Sequence, residues 1–296
     1  GRTTSDVTTL STRDRSQEMA TDVVPLRTED VKVRFGGVFA VNNVSIEVRA
    51  GEVVGLIGTN GAGKTTLMNA ISGFVRSSGT VELFGEPVDR MRSYRRSRRG
   101  MGRAFQNARI FGGLTVRETI MVALEARERS LLLPSMVALP PSPFAERRKR
   151  SQAEDIIGYL GLGRYADSLV SELSTGTRRV VELGALLALD TRLMLLDEPT
   201  AGIAQRETEV FGPLIKTIQK DLGSAILIIE HDMPMVMSIS DRIYCLEAGT
   251  VIAEGVPDVV RTDLTVIASY LGTDERAIQR SGVSAAAPEP VEPAKT

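Results

Sequence analysis

Cysteine is nearly missing from this chain of 296 residues: Cys245 stands alone. That excludes a disulfide framework and a cysteine-built metal site, and a reducing compartment is the simplest setting. A surplus of either charge is missing too, since 36 Lys and Arg against 37 Asp and Glu leave a formal net charge of -1. Bulk nucleic-acid binding usually needs a basic excess and is not expected. Long apolar runs are absent. A membrane-spanning helix needs about 18 to 20 apolar residues, and the longest candidates, 180–189 and 225–229, have the size of core elements. Residues 1–22 are polar and mixed in charge, without the apolar stretch of a secretory signal. The chain starts at Gly1 rather than Met, which admits a trimmed chain or a piece of a longer one.

What the sequence does hold is apolar material, 42% of its residues, enough to bury a core. The length suits one large α/β domain or two modest ones. Residues 1–26, rich in Ser, Thr and Arg, read as a flexible arm or linker. Residues 273–296, which close in Ala-Pro-Glu-Pro-Val-Glu-Pro-Ala-Lys-Thr, read as a disordered tail. The folded domain then spans 27–272. Short Val-, Ile- or Leu-rich segments predict strands over 30–35, 44–48, 52–57, 80–84, 193–196, 225–229, 241–246 and 250–254. Helical periodicity predicts helices over 64–72, 116–130, 151–160, 178–189, 207–220 and 232–238. Strands alternating with helices make βαβ units and a largely parallel sheet. The early strand-rich stretch predicts a small antiparallel layer beside it. Residues 110–175, mostly helical and lying between two core strands, predict an inserted helical subdomain, with a proline-rich loop over 131–144.

Gly58-Thr59-Asn60-Gly61-Ala62-Gly63-Lys64-Thr65 fits the pattern G-x-x-x-x-G-K-[ST], with an apolar strand before it and a helix starting at Lys64. Glycines let the backbone curl so that successive N–H groups point inward around phosphate oxygens, and the helix adds its positive end. Lys64 can reach the β and γ phosphates, and the Thr65 hydroxyl can hold Mg²⁺.

Leu193-Met194-Leu195-Leu196-Asp197-Glu198 is an apolar run ending in two carboxylates. It reads as a strand buried on both faces, with Asp197 at the edge where open α/β sheets bind ligands. Asp197 can orient a Mg²⁺ shell, and Glu198 can accept a proton from an attacking water. His231, the only histidine, follows another buried-strand pattern and falls on the same predicted edge, in reach of a phosphate or that water. Leu173-Ser174-Thr175-Gly176-Thr177 precedes a helical stretch. Ser174 or Thr175 can cap that helix, or the hydroxyl, the Gly176 backbone and the helix N-terminus can together bind a second phosphate.

The phosphate loop, Gln106, Leu173–Thr177, Asp197-Glu198 and His231 occur in the order found in ABC-transporter ATPase domains, which residues 27–272 resemble. The resemblance implies a P-loop NTPase fold, α/β with a RecA-like parallel core, binding ATP and Mg²⁺. It implies nucleotide contacts at Phe35 (stacked on adenine), Val41, Thr59, Asn60, Gly61, Ala62, Gly63, Lys64, Thr65, Thr66, Ser174 and Gly176. It assigns Mg²⁺ to Thr65, Gln106 and Asp197, and turnover to Lys64, Glu198 and His231. Two such ATPase domains, in a homodimer or heterodimer, close head to tail with each signature segment covering the other's ATP. Arg34-Phe35-Gly36-Gly37-Val38-Phe39-Ala40-Val41-Asn42-Asn43-Val44-Ser45, Phe105–Phe111 followed by Leu114-Thr115-Val116-Arg117-Glu118, Ile229-Glu230-His231-Asp232-Met233 and Tyr270-Leu271-Gly272 resemble the ATPases of branched-chain amino-acid importers. Lipopolysaccharide-export ATPases share some of these features. Such a protein sits peripherally at the cytoplasmic face of the cell membrane, beneath transmembrane permease subunits or its own fused membrane domain, with a solute-binding protein as a further partner.

Thr175 and Thr177 depart from the common signature Leu-Ser-Gly-Gly-Gln, and Ala204 stands where Asp or Asn is usual. Retained but slower hydrolysis, or a heterodimer whose partner supplies the better signature, would follow. Seven arginines between Arg90 and Arg103 form a solvated helix face or a surface near anionic lipid headgroups, with nucleic acid a third option that lacks an aromatic platform beyond Tyr94. Two other functions stay open: a fused or lipid- or drug-exporting transporter, and a soluble ATPase of the same type acting on nucleic acid or ribosomes.

Overall fold

Strands 53–57, 193–197 and 225–229 are buried at every position, as strands covered on both faces must be. The computed structural model describes residues 23–104, 112–129 and 143–270. Its strands are β1 (Leu26–Phe35), β2 (Val38–Val44), β3 (Glu47–Val48), β4 (Val53–Ile57), β5 (Ser78–Leu83), β6 (Glu86–Pro87), β7 (Met101–Ala104), β8 (Leu193–Asp197), β9 (Ala225–Ile229), β10 (Arg242–Glu247) and β11 (Thr250–Gly255). Six of them form one sheet in the order β11-β10-β4-β9-β8-β7, parallel throughout except for the β10–β11 hairpin. The others form the antiparallel layer, in the order β2-β1-β5-β6 with β3 also on β1.

The helices are α1 (Lys64–Ser72), α2 (Ser93–Arg98), α3 (Val116–Arg129), α4 (Pro143–Tyr159), α5 (Thr175–Ala188), α6 (Gln205–Leu222), α7 (Met233–Ile239) and α8 (Pro257–Val260). Helix α5 begins three residues before its expected start because Ser174 caps it, its Oγ accepting from the Thr177 N–H at 3.2 Å. Asp232 does the same for α7, accepting from the Met235 N–H at 3.0 Å. Helix α4 starts at Pro143, where the fixed proline φ suits a first turn, so the expected loop over 131–144 ends sooner; residues 130–142 lie outside the described residues. Helices α3 and α4 stand in the chain between β7 and β8, which are paired neighbours, so the helical insert leaves and re-enters the sheet at one edge. Strand β7 escaped the pattern reading because Met101-Gly102-Arg103-Ala104 holds one bulky apolar residue. The strand expected over 44–48 is instead broken between β2 and β3.

Side chains alternate across a strand, and here each alternation feeds a different core. Val54, Leu56, Leu193, Leu195, Leu227 and Ile229 pack with α1 and the antiparallel layer. Val53, Met194, Leu196, Ile226 and Ile228 pack with the helices on the opposite face. A smaller third cluster joins Ile57, Val236, Ile243, Cys245, Val260 and Val266, with Tyr270 packed against it. Register then decides where the polar residues meet. Ile229 pairs with Leu56 on one side and Asp197 on the other. The chain leaving β4, β8 and β9 therefore emerges side by side at the C-terminal edge of the sheet.

Candidate functional site

The loop leaving β4 is shaped by its own backbone. Gly63 has φ 103, and a Cβ there would collide with the Ala40 carbonyl oxygen. No side chain caps α1 at Gly63, so the first N–H groups of that helix are free to meet an anion. Lys64 is 6% exposed and folds back over the loop, donating from Nζ to the Gly58 oxygen at 2.7 Å and the Thr59 oxygen at 3.0 Å. Burial pushes its ammonium below the usual lysine range, opposed by the negative charge of Glu198 and Asp197. A cation kept in place by two carbonyl oxygens and disfavoured by burial is ready for a phosphate. Ala62 is buried, Thr59, Gly63 and Thr66 are half-buried, and Asn60, Gly61 and Thr65 are exposed. The Gly58 N–H donates to the Tyr270 hydroxyl at 2.9 Å, tying the base of the loop to the end of the described chain.

On the neighbouring strand, Asp197 is 4% exposed. Its Oδ2 accepts from Arg103 at 2.6 Å, while Oδ1 is buried without a hydrogen-bond partner. A buried carboxylate oxygen left open fits a cation or its water shell. No group of three His, Cys, Asp or Glu that could hold a metal is found among the described residues. Arg103 also donates to Asn69 Oδ1 at 2.7 Å, so the aspartate is braced against α1.

Glu198 has φ 50, an uncommon conformation for a residue with a Cβ. Its N–H still donates to the Ile229 oxygen at 2.9 Å, which extends the pairing one residue past β8. The carboxylate turns toward His231, with Glu198 Oε1 3.0 Å from His231 Nε2. The two are 27% and 44% exposed, so water reaches both. Glu230, only 3% exposed, fixes this geometry from behind. It accepts from the Thr200 N–H at 2.7 Å, the Thr200 hydroxyl at 2.6 Å and the His231 N–H at 3.0 Å. One buried carboxylate thus clamps the turns that carry Glu198 and His231. The arrangement can take a proton from a water held beside bound phosphate.

At the start of α5, Ser174 is exposed and Gly176 buried. The Ser174 hydroxyl donates to Glu207 Oε1 at 3.0 Å, and a Cβ on Gly176 would strike the Glu207 carboxylate. An anionic group therefore already rests on this helix N-terminus. Phe35 is 55% exposed at the end of β1. Val41 is fully buried in the first core, so its side chain offers no surface to a ligand. Gln106 lies outside the described residues. The sequence reading gives Arg103, Glu207, Glu230 and Tyr270 no role in the site. Only Glu230, a carboxylate closing an otherwise apolar strand, carried a local signal.

A family model described as ABC transporter matches residues 41–201. A second, described as Branched-chain amino acid ATP-binding cassette transporter, matches residues 250–276. The high-affinity branched-chain amino acid transport ATP-binding protein LivG of Salmonella typhimurium is 37% identical over 248 residues, 83% of this chain and 97% of that protein. The corresponding protein BraF of Pseudomonas aeruginosa is 34% identical with the same coverage. A crystal structure of the ADP conformation of an ATP-binding cassette of an ABC transporter superposes with TM-score 0.73 at 29% identity, over 85% of this chain and 100% of that one.

Proposed function

This chain belongs to the ABC transporter family of ATP-binding proteins and is an ATPase, and we propose that it powers the uptake of branched-chain amino acids through separate permease subunits. The support for the cargo is the match of residues 250–276 to the branched-chain amino acid description, together with relatives of that name covered over 97% of their length. In this reading the protein is peripheral, held at the cytoplasmic face of the membrane by the permeases, with a solute-binding protein delivering the cargo.

Thr59, Asn60, Gly61, Ala62, Gly63, Lys64, Thr65 and Thr66 bind the phosphates of ATP, and Phe35 stacks on adenine. The Ala40 carbonyl backs the loop at Gly63, and the neighbouring Val41 would meet the nucleotide through its main chain. Thr65, Gln106 and Asp197 would hold Mg²⁺, which neutralises phosphate charge when bound. Glu198 accepts the proton of the attacking water, and His231 orients the Glu198 carboxylate and the terminal phosphate. Ser174 and Gly176 face the ATP of a second ATPase subunit, which displaces Glu207 when the pair closes. ATP is then part of the interface, and hydrolysis shifts the population toward the open dimer.

The observation that carries the hydrolytic reading is the 3.0 Å contact between Glu198 and His231, held by buried Glu230 beside the phosphate loop. Glu198→Gln is expected to keep ATP affinity and to lower turnover by about 10²- to 10⁴-fold; turnover at the wild-type rate would overturn the base assignment. Affinity capture of the native complex in mild detergent, read by mass spectrometry, tests the assembly. Recovery with two permeases and a solute-binding protein is expected, and recovery of one long polypeptide with its own membrane domain would refute separate subunits.

A further inference from the structure

The arginine cluster of the sequence divides in two in the fold. Arg96 is 3% exposed and donates to the Ala70 and Ile71 oxygens at 2.9 and 2.7 Å, where a cation suits the negative end of α1. Arg99 pairs with Glu86, and Arg103 with Asp197. Arg90, Arg92, Arg95 and Arg98 instead point outward, and none of them has an ion-pair partner among the described residues. No Asp or Glu occurs in the sequence between Arg90 and Arg117. Tyr94, 49% exposed, stands among them. Its hydroxyl accepts from Arg95 Nε at 3.1 Å, and the Arg95 and Arg98 guanidinium groups lie 5.8 and 5.7 Å from its ring centre. Arg95, with Arg92 and Arg98 adding their charge, holds the Tyr94 phenol below its ordinary value. Arg90, Arg92, Tyr94 and Arg95 line an open recess of about 340 Å³.

This patch is remote from the phosphate loop. Helix α1 starts at the loop, and nine residues later its far end is capped by Arg96 of α2, the helix that carries Tyr94, Arg95 and Arg98. At 1.5 Å per residue that is about 13 Å along the helix axis. Four exposed arginines on one short stretch repel one another, and with Asp89 the one carboxylate bordering them none is ion-paired among the described residues. Guanidinium forks match phosphate oxygens, and a tyrosine suits a boundary between water and an apolar phase. A nucleic-acid surface would want several stacked aromatics, and Tyr94 is the one here. We propose that Arg90, Arg92, Arg95, Arg98 and Tyr94 form a binding surface for the phosphate groups of anionic lipid headgroups, by which the protein contacts the membrane directly as well as through its permeases. The surface rests on its own chemistry, so solution ATPase activity serves as an independent control.

The test is co-sedimentation of the full chain with vesicles of phosphatidylcholine alone or of phosphatidylcholine with 30% phosphatidylglycerol, the wild type beside Arg90→Gln/Arg92→Gln/Arg95→Gln/Arg98→Gln. Each arginine at an anionic surface is worth about fivefold in partitioning, so the quadruple variant is expected to bind the anionic vesicles about 100- to 1,000-fold more weakly. Wild-type binding should fade when salt is raised to about 1 M, where the screening length falls to about 3 Å. ATP hydrolysis in solution should match the wild type, since none of the four side chains touches the phosphate loop. Equal binding to neutral vesicles overturns the proposal, and so does undiminished binding by the variant. Loss of permease capture in a variant whose parent ignores anionic vesicles also overturns it, in favour of an acidic protein segment.

Discussion

Arg103→Met removes the side chain that, among the described residues, hydrogen-bonds the Asp197 carboxylate. Both partners are withdrawn from water, with side chains 11% and 3% exposed. The replacement keeps most of the volume over Phe74, whose ring centre is 5.7 Å from the guanidinium carbon. It takes away the bonds to Asp197 at 2.6 Å and to Asn69 at 2.7 Å. Because Asp197 Oδ1 already lacks a partner, the variant leaves a whole carboxylate buried and unpaired. Breaking a buried pair from one side costs about 3–5 kcal/mol. With about 2–4 °C per kcal/mol for a domain of this size, the melting temperature of the ligand-free protein should fall by roughly 6–20 °C. Differential scanning calorimetry reads that fall directly. Asp197→Asn/Arg103→Met, which removes the orphaned charge, should recover a substantial part of it, because coupled residues are not additive. A loss under about 1 kcal/mol, or a double variant no more stable than Arg103→Met, would refute the claim that Arg103 neutralises Asp197.

Glu207→Gln removes the carboxylate from the N-terminus of α5 while Ser174 keeps its cap on the Thr177 N–H. In a Glu198→Gln background, ATP-driven dimerisation measured by analytical ultracentrifugation should tighten by about 3- to 10-fold, consistent with roughly 1 kcal/mol of a charge–dipole contact; an unchanged or weaker dimer would refute the displacement of Glu207. Cys245 is fully buried, and burial pushes its thiol from 9.0 up to about 11. The folded state then holds its proton after the unfolded chain has lost it. The thiol's contribution is complete below about pH 9 and is lost as pH rises toward 11, by about 2–3 kcal/mol over that window. Urea unfolding at pH 9 and pH 11 should show a smaller loss in Cys245→Ala than in the wild type, and equal losses in the two would refute the buried-thiol account.

The parts legible in the sequence were those in which a short segment carries its own physics. The phosphate loop, the apolar strand before it, the helix after it and the carboxylates closing β8 are all local patterns, and each lies within a residue or two of its expected place. The antiparallel layer and the helical insert followed from the order of strands and helices. Strand β7 was missed because Gly102 and Arg103 dilute its apolar signal, and its strand character comes from pairing with β8. Helix α2 was missed because six residues hold too few turns to show a period.

The sequence alone determined the chemistry on offer: a loop for phosphate, two carboxylates, one histidine and a serine ahead of a helix. Tertiary structure decided which of these meet and what restrains them. Sheet register brings the ends of β4, β8 and β9 together. Arg103, 94 positions before Asp197, was indistinguishable in the sequence from its outward-facing neighbours. Glu230 became a clamp only when it reached Thr200, 30 positions earlier. Local pattern encodes what a residue can do, whereas partners far apart along the chain are chosen by the packing of a sheet whose register no single segment contains.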